Sequence, residues 1–218
     1  MKYKDVWNCV KDNSFIHEDR GLILYKMILR DSPDKCLNLG TAHGASACII
    51  AAALDEKGKG EVDTVDLETV EWKPNVNELS SKSGLSKYIK VFNERSSYTW
   101  FLKKKIEENT KDNICKPEYD FVFLDGSKNW NYDGFAFFLI DKLLKPNGTI
   151  IFDDMFWTYK MKDGIRNETD GISHRSMGTD ELCEPHIHLI FKLLVMQHPS
   201  YHKCTIIDNW WGICKKKV

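Results

Sequence analysis

The chain has 218 residues, 42% of them hydrophobic and 29% charged, with a formal net charge of -1. That is the balance of a globular protein with one sizeable core. It leaves no electrostatic footprint for nucleic acid, and no apolar run nears the roughly 18 residues of a membrane span. The opening "MKYKDVWNCVKDNSF" lacks the apolar region of a secretory signal, and the closing "KKKV" reads as a solvated tail. Seven cysteines are scattered without a C-x-x-C pair, which reads as reduced thiols in a cytoplasmic protein.

Short apolar runs alternate with segments of helical period, the pattern of a parallel sheet flanked by helices. Residues 1–35 are expected to form an N-terminal helical cover. "CLNLG" (36–40) reads as the first strand, and "ASACIIAAALDEKG" as a small-residue helix closing at Gly58. "GEVDTVDLE" holds a second strand ending near Asp66, and "YIKVFNE" (88–94) a third, followed by the helix "SYTWFLKKKIEEN". "YDFVFLDG" (119–126) is the fourth strand. The helix "YDGFAFFLIDKLLKPNG" is expected to stop at Pro146 and Gly148 and to lead into a fifth strand, "TIIFDD" (149–154).

The rhythm then changes. Residues 155–180 are polar, glycine-dotted and aperiodic, as lids and substrate loops are. "ELCEPHIHLIFKLLVMQH" (181–198) reads as one helix, and two short β-rich runs around Asp208–Asn209 read as a hairpin. No linker or repeat divides the chain, so 1–218 is read as a single domain.

In an open parallel sheet, ligands bind beyond the carboxyl ends of the strands. That edge carries Gly40–Ser46, Asp66, Ser96–Ser97, Asp125 and the pair Asp153–Asp154. Gly40 and Gly44 bracket three residues without completing G-x-G-x-x-G, which counts against a nicotinamide dinucleotide. Asp66 can accept both ribose hydroxyls of an adenosine-containing ligand; the alternative is a strand-end acid in water. Asp125, Asp153 and Asp154 supply carboxylates that a hard divalent cation could use to hold and acidify a hydroxyl. The alternative for the pair is a cap or turn, with one of the neighbouring side chains pointing away.

The stretches "LNLGTAHGASA", "VDTVDLE", "DFVFLDGSKNWNYDGF", "LLKPNGTIIFDD" and "DNWWGICKK" together resemble a class I S-adenosylmethionine-dependent methyltransferase. Kinship is nearest to the catechol-O-methyltransferase-like small-molecule O-methyltransferases, over about residues 34–157 and in part over the C-terminal hairpin. The resemblance implies an α/β Rossmann-like fold: a seven-stranded, mostly parallel sheet with a C-terminal antiparallel hairpin and helices on both faces. It implies that Gly40, Thr41, Ala42, Gly44 and Ser46 line the methionine and ribose part of the cofactor. Asp66 would take the ribose hydroxyls, Leu67 would lie beside the adenine and Ser96 at its edge, with Asp125 also bordering the cofactor. Asp125, Asp153 and Asp154 match the metal triad, for Mg2+ or a similar ion, although Asp154 stands where the family usually has asparagine. Lys128 stands where many relatives carry histidine, so the general base does not carry over from the family; the catalytic candidates are Asp125, Lys128 and Asp153.

The implied reaction is methyl transfer to a small-molecule hydroxyl, of a carbohydrate or a phenol, with modified-nucleotide hydroxyls also open. Positioning dominates such a transfer, with a metal, lysine or histidine assisting loss of the proton. His174 in the expected lid is a further candidate for assistance; His186 and His188 read as packing or solvated residues. Trp130, Tyr132, Phe156, Trp157 and Tyr159 could wall the acceptor or fill the gap beneath the lid. A metal-independent methyltransferase whose acids bind the substrate is a near variant. Two further alternatives remain: a methyltransferase-fold binding protein without catalysis, and a nicotinamide-dependent oxidoreductase. Acceptor identity and oligomeric state are not legible.

Overall fold

A computed structural model of the chain describes residues 1–161 and 177–218. Strands β1 (Lys35–Leu39), β2 (Glu61–Leu67), β3 (Ile89–Glu94), β4 (Tyr119–Leu124), β5 (Leu144–Phe152), β6 (Tyr201–Ile207) and β7 (Trp211–Lys216) form one seven-stranded sheet. Their order is β3-β2-β1-β4-β5-β7-β6. The pairs among β1 to β5 are parallel, whereas β7 runs antiparallel to both β5 and β6. The strand order reverses beside β1, between its neighbours β2 and β4, which is where such sheets open a crevice.

Alternation along the central strands explains why they read as continuous apolar runs. In β4, Phe121 and Phe123 face one core, while Val122 and Leu124 face the other. The first core is covered by α1 (Tyr3–Val10), α2 (Glu18–Asp31), α3 (Ala45–Lys57) and α4 (Val76–Lys82). Helix α3 is buried from Ala45 to Leu54 because α1 and α2 pack on its outer side and the sheet on its inner side. The second core is covered by α5 (Tyr98–Glu108) and α6 (Trp130–Leu143), with the C-terminal helical segment beyond them.

Three local expectations are corrected. Helix α6 ends at Leu143, and β5 begins at once; Pro146 and Gly148 lie within that strand rather than between helix and strand. Tyr119 pairs with Leu144 and Phe121 with Thr149, so residues 145–148 bulge out of the ladder, where a proline without N–H is tolerated. The expected helix 181–198 is broken at Pro185 into α7 (Thr179–Cys183) and α8 (His186–Ile190), the latter continuing as a π-helical turn, Phe191–Val195. Glu184, at ψ 140°, shows the extended conformation imposed on a residue before proline.

The third correction concerns the thiols. Cys204 and Cys214 form a disulfide across β6 and β7 (S–S 2.21 Å), while Cys9, Cys36, Cys48, Cys115 and Cys183 are free. The hairpin turn is where it was expected, with Asp208 and Asn209 both left-handed (φ 51° and 55°). Folding back about that turn is what brings the two cysteines face to face. Of the expected 155–180 loop only the two ends are described; residues 162–176, with His174, lie outside the described residues.

Candidate active site

Backbone hydrogen bonds carry the parallel ladder one residue past the strands. Gly40 N donates to Val65 O (2.9 Å), Asp125 N to Leu39 O (2.8 Å) and Asp153 N to Leu124 O (3.0 Å). The first residues after β1, β4 and β5 therefore stand side by side. Gly40 has φ +96°, and a Cβ there would lie 2.0 Å from Asp125 O, so the junction admits only glycine. Beyond this edge opens a cavity of about 370 Å³ whose lining includes Gly40, Ala42, Asp66, Leu67 and Ser96, and also Asp125, Asp153 and Asp154. Thr41 and Ser46 line a small adjoining recess of about 30 Å³. Gly44 lines neither. It starts α3 at φ +100°, and its missing side chain makes room for Val76 of α4.

Asp66 is held from behind by backbone. Its Oδ2 accepts from Ala42 N (2.6 Å) and its Oδ1 from Leu67 N (2.8 Å), which leaves each oxygen a further lone pair. Burial raises its carboxyl above the ordinary range, and the N–H groups of Leu67, Ala42 and Thr41 pull it partly back. Ala42 meets it in a left-handed turn (φ 46°). Beneath, Thr41 Oγ1 and Thr64 Oγ1 are 2.6 Å apart, and Asn38 Nδ2 donates to Thr64 Oγ1 (2.9 Å), so the loop rests on a buried polar chain.

Trp72 was not found from sequence. Its indole lines the cavity and helps draw the Asp66 carboxyl down, yet its buried Nε1–H has no partner in hydrogen-bond geometry. The ring of His43 packs edge-on at 4.8 Å and that of Phe15 at 6.0 Å. His43 Nδ1 lies 2.7 Å from Pro74 O, which can only accept, so Nδ1 carries the proton. A tryptophan in the irregular segment after Asp66 was the only sequence signal.

At the acidic end, the ammonium of Lys128 sits between two of the three acids. It donates to Asp125 Oδ1 and lies 3.3 Å from Asp154 Oδ2, with its side chain wholly buried (0% exposed). Asp153 and Asp154 diverge, as neighbours do. Asp153 is buried, and its Oδ1 accepts from Trp211 Nε1 (2.9 Å) and from Asp154 N (2.7 Å). Burial, and then the charges of Asp125 and Asp154, hold its carboxyl well above the usual range. In this arrangement the Lys128 Nζ stands as a donor to two carboxylates.

The expected metal triad does not fit a hard dication as arranged. Such an ion needs about six oxygen ligands in close contact, and here Lys128 engages two carboxylates while an indole and a backbone N–H hold the third. Among the described residues no group of three or more His, Cys, Asp or Glu side chains is placed to hold a metal ion.

Lys128 is aimed by its loop. It has φ 59°, and the residues around it are tied to Asp133, a fully buried acid that was also missed. Asp133 Oδ2 accepts from Asn129 N (2.7 Å) and Ser127 Oγ (3.2 Å), and its Oδ1 accepts from Tyr98 OH (2.5 Å). Burial raises the Asp133 carboxyl, and the bond from Tyr98 offsets this first among the opposing effects. Tyr159 OH adds a bond to Ser127 O (3.0 Å). An acid in the first turn of α6, behind the capping Asn129, was the available signal.

Of the expected aromatic wall, Tyr132 and Trp157 line the cavity, joined by Trp210, which was not expected there. Tyr159 packs against Trp157 (4.9 Å) and His186 (5.4 Å) instead. His186 Nδ1 accepts from Trp130 N (3.1 Å) and Nε2 donates to Glu181 O (2.8 Å), so the ring is a neutral strut. His188 stacks on Phe156 at 4.6 Å.

A family model described as a methyltransferase domain matches residues 37–155. The chain belongs to the methyltransferase-domain family. The matched stretch of this methyltransferase holds every glycine and acid of the site, from Gly40 to Asp154. Comparison with curated protein sequences finds no significant match. Among solved structures, it is similar to a SAH-bound methyltransferase from Podospora anserina (16% identity, 99% and 88% of the two chains covered, TM-score 0.69). It is similar also to an O-methyltransferase from Bacillus cereus in complex with SAH (18% identity, 100% and 92% covered, TM-score 0.66). A third is an O-methyltransferase from Streptomyces achromogenes involved in tomaymycin synthesis, in complex with SAM (13% identity, 99% and 89% covered, TM-score 0.65). At these identities the likeness establishes the fold, a Rossmann-like class I methyltransferase sheet with helices on both faces. The family match leaves the nicotinamide alternative without support. Among the described residues no helix is long and apolar enough to cross a membrane.

Proposed function

We propose that this methyltransferase moves a methyl group from S-adenosylmethionine to a hydroxyl of a small molecule, of carbohydrate or phenolic type. The observation that carries the reading is Asp66: a carboxylate fixed by two backbone N–H groups, opening on a cavity whose glycine edge allows close approach. The SAM- and SAH-bound structures of similar fold support the same choice of cofactor.

S-adenosylmethionine supplies a methyl carbon made electrophilic by its sulfonium. Asp66 accepts the ribose hydroxyls, Gly40 to Ala42 let the backbone approach, and Leu67 and Ser96 border the adenine. The unpartnered indole N–H of Trp72 is a donor waiting for an acceptor on the same ligand. Tyr132, Trp157 and Trp210 give flat walls for a phenolic ring or a sugar face. Asp125 and Asp154, braced by Lys128, orient the acceptor hydroxyl for in-line attack. The new O–CH3 bond forms as the S–CH3 bond breaks, leaving a thioether, and the hydroxyl proton passes to a carboxylate of the notch.

The test is production of S-adenosylhomocysteine with radiolabelled cofactor over a panel of phenols and carbohydrates. Transfer to one class of hydroxyl is expected. Cofactor binding without transfer to any acceptor would instead favour a binding protein of this fold, a second reading prompted by the Lys128 clasp on the acids.

A further inference from the structure

We propose that Lys128 is a resident cation that takes the place of a divalent metal between Asp125 and Asp154. Its ammonium contacts Asp125 Oδ1 and stands 3.3 Å from Asp154 Oδ2, leaving no room for an ion ligated by both. A magnesium ion demands oxygen ligands at about 2.0–2.1 Å in near-octahedral array, so it could enter only by expelling the lysine.

Expulsion is opposed by the surroundings. The Lys128 side chain is wholly buried, and moving its ammonium would take it away from both carboxylates at a desolvation cost. Its loop is also fixed at both sides: Ser127 and Asn129 bond to Asp133, and Ser127 bonds to Tyr159. The cation is therefore built in covalently and needs no uptake. A single positive charge that donates hydrogen bonds orients and partly neutralises the acids, but it acidifies a hydroxyl less than a dication would. This favours acceptors whose hydroxyl is already acidic, phenols over sugars. That last step rests on the methyl-transfer reading; the cation assignment does not.

The experiment is manganese(II) titration followed by electron paramagnetic resonance, on wild type, Lys128→Ala and Lys128→Arg, each with an S-adenosylhomocysteine titration alongside. Wild type and Lys128→Arg should leave manganese free at millimolar concentration, and a chelator should not change turnover. Lys128→Ala vacates the notch and should bind manganese about tenfold more tightly or better, with the added binding lost on combining Asp125→Asn. Should Lys128→Ala fail to fold, wild type against Lys128→Arg still decides. Micromolar manganese binding by wild type that Asp125→Asn abolishes would overturn the proposal, as would a folded Lys128→Ala that binds no better than wild type. Failure of S-adenosylhomocysteine to bind would strike the methyl-transfer reading instead, and leave the manganese result standing by itself.

Discussion

Trp211, in the antiparallel hairpin, donates its indole N–H to Asp153 Oδ1 at 2.9 Å, tying the last strand of the chain to the acidic edge of the parallel sheet. Both residues are buried, and the Trp211 ring packs edge-on against Phe123 of β4 at 5.7 Å. The hairpin is thus a wall of the site as well as an addition to the sheet.

Trp211→Phe removes a donor from a buried carboxyl while keeping most of the ring. The expected cost is about 1–3 kcal/mol, measured by urea unfolding at neutral pH. A loss within error would show that this bond does not matter to stability.

Asp153 also gives a pH signature. Its folded-state carboxyl is raised above the unfolded value, so its contribution is fully present below the unfolded carboxylate range and is lost as pH rises toward the folded value. Asp153→Asn cannot ionise. The stability of wild type relative to this variant should therefore fall between pH 4 and neutrality; a difference that rises with pH would reverse the assignment.

How far was this legible in advance? The five parallel strands were: burial on both faces leaves unbroken apolar runs such as "FVFL" in the centre of the sheet. The runs of β1, β2, β4 and β5 end at the glycine or acid that marks the site edge. Asp66, Asp125 and Asp153–Asp154 followed from that rule alone. The direction of Lys128 was not legible: it depends on a left-handed residue and on Tyr98, 35 positions before the Asp133 it bonds. The Cys204–Cys214 pair was encoded in the hairpin register but was missed by counting cysteines without folding the turn. Pro185 was visible within a periodic stretch, and its missing N–H should have outweighed the periodicity.

Gly40→Ala puts a methyl group 2.0 Å from a carbonyl oxygen, at a φ that side chains avoid. A loss of at least about 2 kcal/mol is expected, with loss of cofactor binding, from strain and displacement of the β1–β4 junction. Thermal unfolding and ligand titration of the same sample check both; a variant normal in each would contradict the close packing assigned here.

Trp72→Phe tests a donor that leans toward the Asp66 carboxyl without completing a hydrogen bond inside the protein. Stability should fall by less than about 1 kcal/mol, since only a loose contact with the Asp66 carboxyl is lost. Affinity for S-adenosylhomocysteine should fall about three- to tenfold, the worth of one hydrogen bond. Unchanged affinity would remove Trp72 from the cofactor site.

The central claim is that Asp66 makes this cavity a SAM site, and calorimetric titration with S-adenosylhomocysteine across pH tests it most directly. Because burial raises the Asp66 carboxyl, ribose recognition should fade on acidification at a pH above that of an ordinary carboxylate. Wild type should bind with one site per chain, and Asp66→Asn should bind about tenfold to a hundredfold more weakly with that pH dependence flattened. No binding by wild type at millimolar ligand, or equal binding by Asp66→Asn, would contradict the account.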